Sequence, residues 1–421
     1  MPTARAKRLV LTNLHVRRER MSLRRKIVSS AAALAIMGTA LVAADNANTQ
    51  IACDGTGDYL VFPVYAADEN GNWKTNLKVV NTNTTHAVVA KVVIREHVNS
   101  AEKLDFPIFL SPGDVWEAEL VAEGGKVYLN STDDSMVVEG VPASTNPVHT
   151  PLFAPVAPQN NNYGYVEVYG VAAIKGENVV TGWKQNTPLD KVALYNKFKE
   201  DLDGKSNTAD WEAVDADSIY GQEVIFASNQ NGNLAMTLPA LALEGVVGTA
   251  PVTTQVIGVN TDFNKMIATG DAATVLGNVA KLLAKSDIYA TFYDDGNGNA
   301  AESKLVLTQP TKAYHGFDST YYFQYNTTAR DQEEHPNIKT TFFSGGQTKT
   351  LSISHESAWL NVETASYASG YTDYQITTNY LDPANADTGV PVPVIPVLMS
   401  AKNVNGTNVT NIVYPAYKKK D

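Results

Sequence analysis

The sequence predicts a mainly β protein, built as one or more antiparallel β-sandwiches with helical insertions. Short β-branched and aromatic runs alternate with turn residues, as in Tyr59-Leu60-Val61-Phe62-Pro63-Val64-Tyr65, then Asn70-Gly71, then Leu77-Lys78-Val79-Val80, and such runs suit pleated, partly buried strands. Hydrophobic residues make up 44% of the chain and charged residues only 18%. The polar surface is therefore built largely from Thr, Asn, Ser and Gln around ample core material. No repeat of fixed period is present, which disfavours a solenoid or propeller. With 421 residues, the chain can form two or three domains or one large sandwich with insertions.

At the N-terminal end, residues from about Met21 to Ala44 read as a cleavable export signal. Arg24, Arg25 and Lys26 supply the charged start, Ile27 to Val42 an apolar stretch, and Val42-Ala43-Ala44 a small-residue cleavage site before Asp45. Ser29, Ser30 and Gly38 interrupt the apolar stretch, so cleavage near Ala44 is expected over a retained transmembrane span. Residues 1–20 are a basic, unpatterned extension, and Met21 is the expected start. Nine of the 33 basic residues precede Asp45 against one of the 44 acids, leaving 24 basic and 43 acidic groups and a formal charge of −19 beyond it. Such a surface repels nucleic-acid phosphates and anionic lipid and attracts divalent cations. Nucleic acid is thereby excluded as a partner.

Residues 45–160 are expected to form an N-terminal β-sandwich region. Asn70-Gly71 marks a hairpin, because both residues tolerate positive φ. Val88 to Arg95 and Phe106 to Leu110 continue the meander, and Ser111-Pro112-Gly113-Asp114 is a turn. The Pro- and Asn-rich stretch from Asn146 to Asn162 reads as a linker or a long crossover, and the domain boundary is placed there. Residues 161–421 are expected to be β-rich, with helical insertions near 190–202 and 261–286, the second with Gly270 as its candidate break. Tyr163 to Ile174 is a strand with Tyr165, Glu167 and Tyr169 at alternate positions. Asn231-Gly232 joins two further strands, and Asp294 to Asn299 reverses the chain. Thr320 to Tyr325, Thr340 to Phe343, Tyr374 to Thr378 and Val390 to Leu398 follow. Pro391, Pro393 and Pro396 confine the last to an edge or an extended arm.

Catalytic patterns fail one after another. His355-Glu356-Ser357-Ala358-Trp359 begins like a zinc-hydrolase helix, but Trp stands where the second His is needed. There is no Gly-x-Ser-x-Gly elbow, and Cys53 is the only cysteine. A buried or idle thiol is the expected role of Cys53, and no disulfide can form within the chain. The sequence thus points away from an enzyme. Asp295-x-Asn297-x-Asn299 resembles the first half of a calcium loop, although position 300 is Ala where Gly is required and the twelfth position is Val306. Asp68-x-Asn70-x-Asn72 carries the same half-pattern. Calcium is thus the one cofactor considered, and both loops also read as simple turns. Glycan contact through Trp73, Trp116, Trp183, Trp211, Trp359 or the Tyr321 to Tyr325 run competes with core packing.

Gly57-Asp58-Tyr59-Leu60-Val61-Phe62-Pro63-Val64-Tyr65, the run Thr75 to Thr82, and Leu104-Asp105-Phe106 leading to Leu110-Ser111-Pro112-Gly113-Asp114-Val115-Trp116 resemble uncharacterised secreted or surface-layer-like proteins of Gram-negative bacteria. The resemblance implies an exported, β-rich cell-surface protein and brings no catalytic residues. The expected function is a non-enzymatic cell-surface or surface-layer-like structural protein, with a glycan- or ligand-binding module as the alternative. Self-association and contact with cell-envelope components are the expected partnerships.

Overall fold

A computed structural model describes residues 49–420, apart from 69–72, 153–161, 230–231, 269–270, 296, 332–335, 338–350, 366 and 405–406. The export segment lies outside the described residues, as do Asn70, Asn72, Gly270 and the run from Thr340 to Phe343.

With strands numbered in chain order, the fold is mainly antiparallel β, and the described residues form four sheets and a small ribbon. Sheet 1 runs β1 (Gln50–Ile51), β16 (Leu241–Glu244), β3 (Tyr59–Ala66), β12 (Tyr163–Lys175), β5 (His86–Glu96) and β6 (Glu102–Leu110), with β13 (Trp211–Glu212) also on β12. Sheet 2 runs β11 (Val148–Pro151), β8 (Lys126–Ser131), β7 (Val115–Glu123), β4 (Trp73–Asn81), β14 (Ile219–Asn229) and β15 (Gly232–Pro239), with β2 (Thr56–Gly57) on β14. The ribbon is β9 (Val137–Val138) with β10 (Val141–Pro142). Sheet 3 runs β20 (Pro336–Asn337), β19 (Phe323–Asp331), β23 (Gly370–Ile376), β17 (Lys285–Phe292) and β26 (Ala416–Lys419), with β21 (Leu351–Ile353) on β19. Sheet 4 runs β22 (Ser357–Asn361), β18 (Lys304–Thr308), β24 (Ile395–Val404) and β25 (Thr407–Val413).

Sheets 1 and 2 face each other across a core that includes Leu60, Phe62, Leu77, Val79, Val92, Ile108, Trp116, Leu129 and Val168. In sheet 2 burial alternates along β4 and β7, because the second face meets water. In sheet 1 it does not: β3 is buried at all eight positions and β5 at ten of eleven. The second face of sheet 1 packs under α2 (Lys191–Asp201), α3 (Phe263–Met266) and α4 (Ala272–Leu283), which follow the single turn α1 (Gly176–Val179). Asp190 caps α2 by accepting from the Val192 and Ala193 amides, and Asp271 caps α4 through the Ala273 amide. Sheets 3 and 4 enclose a second core around Ile288, Phe292, Leu305, Phe323, Tyr374 and Leu398. A further cluster of Val64, Ile225, Met236, Leu238, Val306, Val397, Met399 and Ile412 joins the two sandwiches.

Several expectations are corrected. β3 and β4, flanking Asn70-Gly71, lie in different sheets and do not pair as the two strands of the expected hairpin; Asp68 N bonds Trp73 O at 3.1 Å on either side of the turn residues, which lie outside the described residues. The boundary near residue 160 does not separate one sheet from another, since β12 sits between β3 and β5 and β14 extends sheet 2 beside β4. The chain on both sides of it belongs to one compact unit, Ala47–Asp421. The helical segment near 261–286 forms two helices, α3 and α4, on either side of its candidate break, and it ends earlier than expected because Lys285 already starts β17. The expected edge or extended arm at Val390 to Leu398 holds over those residues: Pro391 and Pro393 precede β24, which pairs with β18 alone until β25 joins at Leu398 and makes the rest of the strand interior. Pro396 is tolerated because pairing with β25 begins only at Leu398, so one side of the strand makes no ladder bond at the proline.

Candidate functional site

The densest polar chemistry among the described residues is buried under sheet 1. Period-two alternation puts Tyr165, Glu167 and Tyr169 of β12 on one face, and antiparallel pairing brings Arg95 of β5 and Tyr59 of β3 beside them. Glu167 is fully buried and every lone-pair direction of its carboxylate is used. Its Oε1 accepts from the Tyr59 hydroxyl at 2.5 Å and the Tyr169 hydroxyl at 3.1 Å. Its Oε2 accepts from Tyr314 at 2.7 Å and from the Arg95 guanidinium in a short ion pair. Arg95 also donates to the Ser100 carbonyl at 2.9 Å and to the Tyr314 hydroxyl at 2.7 Å. Burial first, and the Glu167 charge second, hold the hydroxyls of Tyr59, Tyr165 and Tyr169 protonated far above the usual tyrosine range.

The network continues through the tip between β5 and β6. Ser100 takes a left-handed φ of +50°, held there because the Glu96 carboxylate accepts from the amides of Val98, Asn99 and Ala101. Its hydroxyl accepts from Tyr165 at 2.6 Å and donates to Glu356 in a short bond. Burial pushes the Glu356 carboxyl up to about 8, with the Lys312 amine pulling the other way. The same burial lowers Lys312, which donates to the Ser354 carbonyl. Gln309, bonded to the His355 carbonyl at 2.7 Å and to the Tyr380 hydroxyl at 2.6 Å, completes the seam. Residues of the N-terminal sandwich and of the segments 309–316 and 354–357 thus share one hydrogen-bonded interior.

The expected site residues lie elsewhere. In the Asp295, Asn297, Asn299 loop, Asp295 Oδ1 accepts from the Asn297 and Asn299 amides and Asp294 Oδ1 from the Gly298 amide. The Asn297 amide holds the Asp295 carboxyl below its ordinary range, and these are the bonds of a tight turn. Asp68 accepts from the Trp73 amide at 3.4 Å, and its partners Asn70 and Asn72 lie outside the described residues. Among the described residues no group of three or more His, Cys, Asp or Glu side chains is placed to hold a metal ion. Cys53 is exposed, so of the two roles expected for it the buried one is corrected. Trp116 and Trp211 belong to the cores.

Within the His355-Glu356 motif, Glu356 is fully buried, and Ser357 onward is strand rather than helix. The His355 ring meets His97 edge-on, and His97 stacks on Tyr163. The alternation of Tyr165, Glu167 and Tyr169 signalled one half of the buried network in the sequence. Arg95, Tyr314 and Glu356 carried no such signal, because each arrives from a distant segment. No helix among the described residues is long and apolar enough to cross a membrane. The chain matches no family model, no curated protein and no solved structure.

Proposed function

We propose that this chain is an exported, non-enzymatic structural component of a bacterial cell surface, of surface-layer-like type. The observation that carries the reading is the placement of the most strongly coupled ionisable groups. Arg95, Glu167, Tyr59, Tyr165, Tyr169 and Glu356 are all buried in the seam between the sandwiches. There they tie layers together, out of reach of a substrate. A large secreted fold without a disulfide needs such internal ties, and the four bonds converging on Glu167 fix one arrangement of the layers. The leader-like segment, the acidity beyond it and the resemblance to surface-layer-like proteins agree with this role.

The reading is tested by fractionating cells and imaging the envelope of a deletion strain by electron microscopy, together with light scattering of the purified protein with calcium and with chelator. Envelope location, loss of an ordered outer array on deletion, and cation-dependent assembly are expected. A strictly monomeric protein under both conditions, recovered from the cytosol, overturns it.

A further inference from the structure

The solvent face of sheet 2 carries a second arrangement, independent of the buried seam. Strand register places Asn76 of β4 opposite Glu119 of β7, Glu119 opposite Asn130 of β8, and Asn130 opposite His149 of β11. Four polar side chains thus form one straight row across four strands, about 14 Å long at the usual strand spacing. They line an open groove of about 470 Å³ together with Lys78, Glu117 and Thr132, inside the ~300–1,000 Å³ range of small-ligand sites.

Three features define what the groove suits. Its charges are matched, Lys74 with Glu119 at 2.6 Å and Lys78 with Glu117 at 2.5 Å. A locally neutral groove on a chain of charge −19 beyond its leader-like segment favours an uncharged ligand over an ionic one. One end carries an aromatic platform, with the Tyr128 and His149 rings stacked at 4.2 Å and 7°, while His149 bonds Asn130 at 2.7 Å. At the other end, Asn76 Oδ1 is shielded from solvent with no hydrogen-bond partner among the described residues, so a ligand hydroxyl that displaces its cover meets an unsatisfied acceptor. Planar amides and carboxylates in a row, beside a ring face, match the alternating hydroxyls and apolar C–H faces of a sugar chain.

We infer that the face of sheet 2 around Asn76, Glu119, Asn130 and His149 is a binding groove for a neutral oligosaccharide. The test is titration calorimetry of the purified full chain with maltohexaose, mannohexaose and chitohexaose, followed by two variants. Asn76→Ala removes a buried acceptor without a partner among the described residues, so the thermal midpoint does not fall while affinity for the bound hexasaccharide drops about tenfold. Thr132→Trp, at an exposed position, fills the groove and abolishes binding without touching the core. Saturable binding of at least one hexasaccharide that responds to both variants supports the inference. No saturable binding to any of the three overturns it, as does binding that both variants leave intact, or a wild-type dimer that buries this face. These outcomes are independent of whether the chain forms an envelope array.

Discussion

At the scale of single residues, the Arg95–Glu167 pair governs the energetics of the seam. Removing the negative charge by Glu167→Gln strands a buried guanidinium, and losing one partner of such a pair costs about 3–5 kcal/mol. Tyr59→Phe removes one of four bonds to the same carboxylate and is expected to cost about 1–2 kcal/mol. Urea denaturation of the two variants checks the order; equal losses would show that Glu167 is not the hub. Glu223 behaves differently. Burial holds its carboxyl far above the ordinary glutamate value of 4.5. The folded state therefore keeps this proton to higher pH than the unfolded chain does, and its contribution to stability falls as pH rises past that value. Glu223→Gln is neutral at all pH, so its melting point should gain on wild type over the interval in which pH rises above the ordinary glutamate value. A constant difference across that interval would refute the assignment.

At the scale of elements, caps and close approaches matter most. Asp271→Ala removes the only side-chain cap of α4 and should lower stability by about 1 kcal/mol, read from the thermal midpoint. Gly164 opens β12 where the chain passes tightly against β5: a Cβ there would collide with the Arg95 carbonyl and the Tyr65 ring. The main obstacle is backbone that cannot rotate away. Gly164→Ala is accordingly expected to cost about 3 kcal/mol, the upper end of ordinary overpacking, and to weaken the adjacent Arg95 bonds. The same bulged region of β3 and β12 accommodates Pro63, whose carbonyl accepts from the Thr308 hydroxyl at 2.5 Å. Strand type and approximate extent were legible for β3, β4, β5, β6, β12 and α2, because each carries its own period or turn signal. The one-sided pairing at Pro396 was legible too, since proline has no amide hydrogen to give a ladder, but the turn to an interior strand at Leu398 was not. Whether a strand is interior depends on which neighbours arrive, and β18 comes from some ninety residues earlier in the chain.

At the scale of the whole molecule, the two sandwiches unfold together. β12 and β14 supply central strands to sheets begun by the first hundred residues, and the cluster around Val64, Met236, Val306 and Met399 crosses between sandwiches. A fragment ending at residue 160 lacks both strands and should show no cooperative transition by circular dichroism, whereas the intact chain should melt in one step. A fragment that folds by itself would restore the domain boundary expected from the Pro- and Asn-rich stretch. Local chain chemistry by itself determined the β class, most strand positions, the acidity and the helix near 190–202, because periodicity, turn residues and charge act over a few positions. Only tertiary structure decided which strands became neighbours. It buried Glu167 against Arg95 and Tyr314, put the two strands of an expected hairpin in different sheets, and aligned Asn76, Glu119, Asn130 and His149 in one row, because strand pairing and layer packing join residues whose separation along the chain leaves no local trace.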